Sequence, residues 1–255
     1  MEQRIGQNEQ TGEQPKQLYL PVPSSLVTDA AFEVFKAKYP NLEITRQEDE
    51  NTILLSLTGP TEEQELFRTD MEFLSRNPDL AVENICSRID NYIPKNKTQV
   101  ELKTWAQRLI DLDSSTTAAG LFVFGATGVG KTHIAVGVTK ELMKRGFSAN
   151  FIRAEDYQRM RSMKLDPNQA WIIDDLNSPF GGGMTFFKEV VLNAHNFGGR
   201  VFVTSNTDYY ELLEHGFVTD PQEKPRYMDR TKGMFKVIHV TGESHREETA
   251  WHRSE

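Results

Sequence analysis

The second half of the chain alternates short apolar runs with amphipathic stretches. The runs are Leu121–Phe124, Ala149–Ile152, Trp171–Ile173, Val201–Val203 and Phe235–Val240. Runs of three to six residues are too short for helices, and their alternation with helical segments predicts the strands of a parallel sheet. Between the first two, Ile134, Val138 and Leu142 recur at i, i+4 and i+8, a helical stripe that Gly146 should stop. A second helix is expected from near Met184 to Gly198. Strand and helix in alternation predict an α/β fold, a parallel sheet flanked by helices.

The first half reads differently. Leu18–Leu20 and Thr52–Leu57 look like short strands, and Ala30–Tyr39 and Glu62–Leu74 like helices, with Gly59-Pro60 as punctuation. That is a small α+β module. Residues 94–97 read as a linker, followed by an amphipathic helix through Leu102, Trp105, Leu109 and Leu112. The Gln/Glu-rich residues 1–16 read as a disordered tail. The expected division is therefore tail 1–16, acidic α+β partner-binding module 17–93, linker and helix 94–112, and parallel-sheet domain 113–255.

Composition narrows the class. Of 255 residues 38% are hydrophobic, enough for a real core. The longest apolar run, Ala118–Ala126, falls well short of the roughly 20 residues of a bilayer-spanning helix. The polar N-terminus lacks the apolar stretch of a secretory signal. The single cysteine, Cys86, makes no internal disulfide and reads as a small buried residue. A cytoplasmic address follows by default. The net charge is −8, and residues 1–100 carry 17 Asp and Glu against 10 Lys and Arg. Phosphate contacts need Lys and Arg, so the front half suits a protein partner better than nucleic acid.

Chemistry first appears after the strand at 121–124. Gly125-Ala126-Thr127-Gly128-Val129-Gly130-Lys131-Thr132 matches the phosphate-loop pattern G-x-x-x-x-G-K-[ST] at every position, between a strand and a helix expected over 132–145. Glycines let successive N–H groups point at one anion, and the helix N-terminus adds its positive end. Lys131 brings a point charge to the β and γ phosphates, and the Thr132 hydroxyl is a ligand for Mg²⁺. ATP and Mg²⁺ are the cofactors this loop calls for. Further on, Trp171-Ile172-Ile173 ends in Asp174-Asp175. Adjacent acids at the end of a buried strand ask for a cation or a proton: Asp174 as a metal ligand, Asp175 as general base on the attacking water. The run Val201–Val203 ends in Thr204-Ser205-Asn206, with Asn206 placed for the γ-phosphate or that water. His133, His195, His239 and His245 show no metal-ligand spacing. Phe180-Gly181-Gly182-Gly183 reads as a mobile tip near the nucleotide, a contact loop for a client or DNA.

Over about Lys97–Arg246 the chain resembles the AAA+ ATPases, and within them the initiator and helicase-loader clade of DnaA, DnaC and IstB type, DnaC-type loaders most of all. The phosphate loop continues Gly130-Lys131-Thr132-His133-Ile134-Ala135, with His133 where the clade often has it. Ile173-Asp174-Asp175-Leu176, Thr204-Ser205-Asn206, Met228-Asp229-Arg230-Thr231-Lys232-Gly233-Met234 and Gly242-Glu243-Ser244-His245-Arg246 follow. The resemblance implies Asn206 as sensor 1, Arg230 as an arginine finger reaching a neighbouring subunit's nucleotide, and Arg246 as sensor 2 in its own subunit. Arg226 is a weaker candidate for the same interface. Three features depart from the clade. Only the residues from 153 to 170 separate two of the strands, room for one helix at about Glu155–Met163. The front module has neither a cysteine cluster nor a basic patch. Residues 217–225 look like an extra loop.

The leading expectation is an ATP-dependent loader or adaptor, assembled with itself or a related AAA+ subunit and holding a client such as a replicative DNA helicase through the front module. A superfamily 3 viral or mobile-element helicase, which should unwind a tailed duplex unaided, is one alternative; an IstB-like transposition helper is another. A small-molecule kinase would need an arginine-rich lid, and a scaffold without turnover leaves Asp175 unexplained. DNA contact is a weak expectation and membrane contact is not expected.

Overall fold

Two units divide the chain, Met1–Cys86 and Ser87–Glu255. The computed structural model describes residues 17–48, 52–77, 80, 82–112, 118–160, 169–216 and 222–244. The tail expected over 1–16 lies outside them. Sequence placed the end of the front module at residue 93; the division falls seven residues earlier.

The first unit is built as β1 (Gln17–Pro23), a 3₁₀ turn, α1 (Asp29–Lys38), β2 (Glu43–Glu48), β3 (Thr52–Thr58), α2 (Thr61–Arg76) and the single turn α3 (Val82–Ile85). The strands form an antiparallel sheet in the order β1-β3-β2. In β3, Ile53, Leu55 and Leu57 are buried while the residues between them are more exposed, the alternation of a one-sided sheet. Thr28 caps α1 by accepting the Ala31 N–H at 3.2 Å. Phe35 and Tyr39 meet the Phe67 ring edge-on at 5.4 and 5.2 Å. The Tyr39 hydroxyl donates to the fully buried Asp70.

The second unit runs α4 (Lys97–Asp111), β4 (Ala119–Gly125), α5 (Lys131–Lys144), β5 (Ser148–Arg153), a 3₁₀ turn (Ala154–Met160), β6 (Gln169–Asp174), α6 (Gly182–Phe197), β7 (Arg200–Ser205), α7 (Tyr209–Gly216), α8 (Glu223–Met234) and β8 (Phe235–Val240). Its five strands are all parallel, in the order β5-β6-β7-β4-β8. Every residue of β7 is buried. Phe122, Ile152, Trp171, Ile173, Val201 and Val203 face one way, into a cluster with α6, α7 and α8. The helices α4 and α5 cover the other face. Because all strands are parallel, their carboxyl ends lie along one edge, where ligands of such sheets bind. No helix among the described residues is long and apolar enough to cross a membrane.

Four local expectations change. Residues 94–97 are no loose linker: the Asn96 side chain caps α4 by accepting the Gln99 N–H at 3.0 Å, and Lys97 already belongs to the helix. The segment after β5 forms a 3₁₀ turn rather than an α-helix, with residues 161–168 outside the description. Gly182 and Gly183 open α6 instead of forming a mobile tip. A Cβ on Gly182 would fall on the Tyr157 ring, and one on Gly183 would strike the Ala154 carbonyl, so both glycines serve close packing. Of the loop expected at 217–225, Glu223–Pro225 are helical, and residues 217–221 lie outside the description.

Candidate functional site

The phosphate loop leaves the carboxyl end of β4 and enters α5. Gly128 and Gly130 take φ of 88° and 95°, and Gly130 is the left-handed residue that turns the chain into the helix. Ser244 stands where a side chain on Gly128 would go, and the Tyr92 ring where one on Gly130 would go. Lys131 is 5% exposed. Its ammonium donates to the carbonyls of Gly125 and Ala126 at 2.9 and 2.8 Å and to Asn206 Oδ1 at 2.9 Å. The cation is thereby bent back over the loop whose ligand it would bind.

Asn206 comes from the end of β7, which lies between β4 and β6. The same strand end organises the acids. Thr204 Oγ1 donates to Asp174 Oδ1 at 2.6 Å and accepts the Asp175 N–H at 2.9 Å. Leu176 N–H donates to the Thr204 carbonyl, and the Ser205 hydroxyl to the Leu176 carbonyl at 2.7 Å. The Asn206 N–H donates to Asn177 Oδ1 at 2.6 Å. These bonds stitch β7 to the segment leaving β6.

The two carboxylates sit in opposite environments. Asp174 is 1% exposed, and Thr132 Oγ1 lies 3.2 and 3.1 Å from its two oxygens. Burial, and after it the charge of Asp175, raise the Asp174 carboxyl to about 6, against hydrogen bonds from Thr204 and Thr132 and the charge of Arg153. Asp175 is exposed, and its φ of 58° puts it in the left-handed region. An Asp tolerates that conformation better than most residues do, and there its backbone is pinned by Thr204. It borders a cavity of about 440 Å³ lined by Glu155, Tyr157, Leu176 and Phe180 among others. A buried acid beside a hydroxyl is a donor pair for a hard divalent cation. An exposed acid one residue on can take a proton.

Hydrogen bonds therefore link Lys131 to Asn206, and both Thr132 and Thr204 to Asp174, at one edge of the sheet. The other expected residues fall elsewhere. His133 Nε2 lies 3.0 Å from the Arg88 carbonyl and 2.8 Å from Asn91 Oδ1, so its ring is engaged by the segment before α4. Arg230 is half-buried on α8, and among the described residues no hydrogen bond or ion pair joins it to the phosphate loop. Arg246 lies outside the described residues, two positions beyond Ser244. Two residues of the site were not singled out from sequence. Thr204 carried a signal, a polar side chain near the end of an otherwise apolar buried strand. Tyr92 carried none, because its contact with the loop spans 37 residues of chain.

Comparison with known proteins places this geometry. No curated protein matches the chain. Among solved structures, DnaI superposes with a TM-score of 0.54 at 20% identity, over 65% of this chain and 94% of that one. A candidate primosome component from Streptococcus pyogenes serotype M3 gives 0.50 at 17% identity, over 66% and 92%. The DnaC helicase loader gives 0.47 at 18% identity, over 63% and 100%. At these identities the fold is what is shared with the first two. The family model of the IstB-like ATP binding proteins matches residues 45–179, a span that holds the phosphate loop and both carboxylates. Since that span is more than half of the chain, the protein belongs to the IstB-like ATP-binding family.

Proposed function

We propose that the protein hydrolyses ATP within an assembly and uses the cycle to hold and release a client protein. The observation that carries the reading is the convergence of Lys131, Asn206, Thr132 and Asp174 at one sheet edge. Lys131 exchanges carbonyl oxygens for the β and γ phosphate oxygens, and the loop N–H groups bind the remainder of the triphosphate. Thr132 and Asp174 suit Mg²⁺, which when bound would neutralise phosphate charge. Asp175 accepts the proton of the attacking water at its exposed carboxylate. Asn206, already bonded to the Lys131 ammonium, orients that water or the γ-phosphate.

Arg230 is proposed to complete the site of a neighbouring chain. Its helix ends where β8 begins, opposite Gly120 and away from the phosphate loop that follows Gly125, which supports action on another subunit. A guanidinium arriving from outside makes turnover depend on assembly. Arg246 is proposed to serve the nucleotide of its own chain, since Ser244 already lies against Gly128. The client is proposed to bind the acidic front module, and a replicative helicase is the client favoured. The fold likeness to DnaI and to the candidate primosome component supports that choice. A transposition helper of IstB type would run the same cycle with another client.

Mixing tests the shared site. Lys131→Ala and Arg230→Ala should each lose about 10³-fold in turnover, the first with loss of ATP binding and the second without it. Mixed, they should regain turnover, because the lysine variant lends its arginine to an intact cradle. A mixture no faster than the sum of its parts rejects the trans arginine. Capture tests the client: Asp175→Asn with ATP should retain the assembled state, and enrichment of no replicative helicase rejects the loader reading.

The metal assignment has a stability consequence. An acid whose carboxyl is raised on folding is held ionised at a cost near neutral pH, here about 1–3 kcal/mol at 1.36 kcal/mol per unit. In metal-free, nucleotide-free protein at pH 8, Asp174→Asn should therefore raise the urea midpoint while abolishing turnover. A lowered midpoint would contradict that account.

A further inference from the structure

The residues that open the second unit lie along one stripe of α5. Lys140 Nζ donates to the Ser87 carbonyl at 3.2 Å. Three positions earlier in the helix is His133's neighbour in the stripe, Gly137, where an added Cβ would sit 2.7 Å from the Ile89 nitrogen and 3.0 Å from the Arg88 carbonyl carbon. His133 then meets Arg88 and Asn91, and the Tyr92 ring covers Gly130. Positions 140, 137, 133 and 130 follow helical spacing, so this strap runs antiparallel to α5 and ends on the phosphate loop.

The end is firmly held. The Tyr92 hydroxyl donates to the Val129 carbonyl at 3.3 Å, and its ring centroid lies 5.5 Å from that of His133. Lys103 Nζ, from α4, donates to the Tyr92 carbonyl at 2.9 Å. The ring is 3% exposed and its hydroxyl is pushed up to about 12 by burial. A ring so enclosed has no free face on which to stack a nucleotide base. What it touches is the backbone of Val129 and Gly130, two residues whose N–H groups belong to the anion cradle.

We infer that Tyr92 is a positioning residue for triphosphate binding: it braces Val129–Gly130 in the cradling conformation and makes no contact with the base. The inference rests on the phosphate loop binding a triphosphate. Without the ring, Gly130 has room to leave its left-handed conformation. If the cradle is then populated only 1–10% of the time, apparent affinity falls about 10–100-fold. The loss belongs to the phosphates, so it should be equal for ligands with and without a base.

The probes are ATP and inorganic tripolyphosphate, each with Mg²⁺, the second measured by displacement of a fluorescent ATP analogue. Tyr92→Ala should weaken both by the same factor, about 10–100, and raise KM for ATP while kcat at saturation stays within about threefold. Tyr92→Phe keeps the ring and should restore affinity for both to within about threefold. Should Tyr92→Ala not fold, as judged by its thermal transition, Gly137→Ala takes its place. That Cβ displaces the strap backbone and leaves the loop and the ring chemically intact, and it should weaken both probes alike. Unchanged tripolyphosphate binding overturns the inference, as does a loss confined to ATP, which would make the ring a base contact. Wild-type protein that binds ATP but not tripolyphosphate overturns it too. Wild-type protein that binds neither sinks the reading of the phosphate loop itself.

Discussion

Strand β7 stands between the strand that delivers the phosphate loop and the strand that delivers the carboxylates, and its last residues hold both. Asn206 takes the Lys131 ammonium on one side. Thr204 takes the Asp174 carboxylate and the Asp175 backbone on the other. The Lys131 ammonium and the Asp174 carboxylate attract each other, and the interposed strand gives each a polar partner of its own. That arrangement follows from strand order, since β4 and β6 are not neighbours. Five parallel strands then bring every functional end to one edge.

Contacts beyond the loop's own sequence limit its conformations. The Ser244 side chain fills the space beside Gly128, the Val240 carbonyl closes on Gly125, and the Tyr92 ring covers Gly130. The first two partners come from the end of the second unit and the third from its beginning. Asn96, Thr98 and Thr241 join these two segments directly, through Asn96 Nδ2 to the Thr241 carbonyl at 2.8 Å and the Thr241 N–H to Thr98 Oγ1 at 3.0 Å. The phosphate loop thus lies within a ring of chain whose ends are bonded to each other. Glycine is required at these positions as much by neighbours as by its own dihedral freedom.

The parallel sheet was legible because its strands are mostly apolar: four of the five runs fall inside an observed strand, and the fifth, Phe235–Val240, is β8 itself. Strand β2 was not legible: Glu43–Glu48 has one large apolar residue, Ile44, and forms a strand because β3 offers it an edge. The phosphate loop and the acid pair were visible as patterns of consecutive residues. The strap was invisible, since its contacts with α5 lie about 40 to 50 positions away and follow no period of their own. Gly182 and Gly183 misled because flexibility and close packing both select glycine, and only their contacts with Tyr157 and Ala154 distinguish the two.

The claim that β7 organises the site rests on one hydroxyl. Thr204→Val removes it with almost no change of shape, leaving Asp175 N–H and Asp174 without their shared partner. Steady-state turnover of this variant under saturating ATP and Mg²⁺ is the direct test. A fall of about 10–100-fold, with ATP affinity in the absence of Mg²⁺ within about threefold of wild type, is the result expected. Turnover equal to wild type would contradict the account.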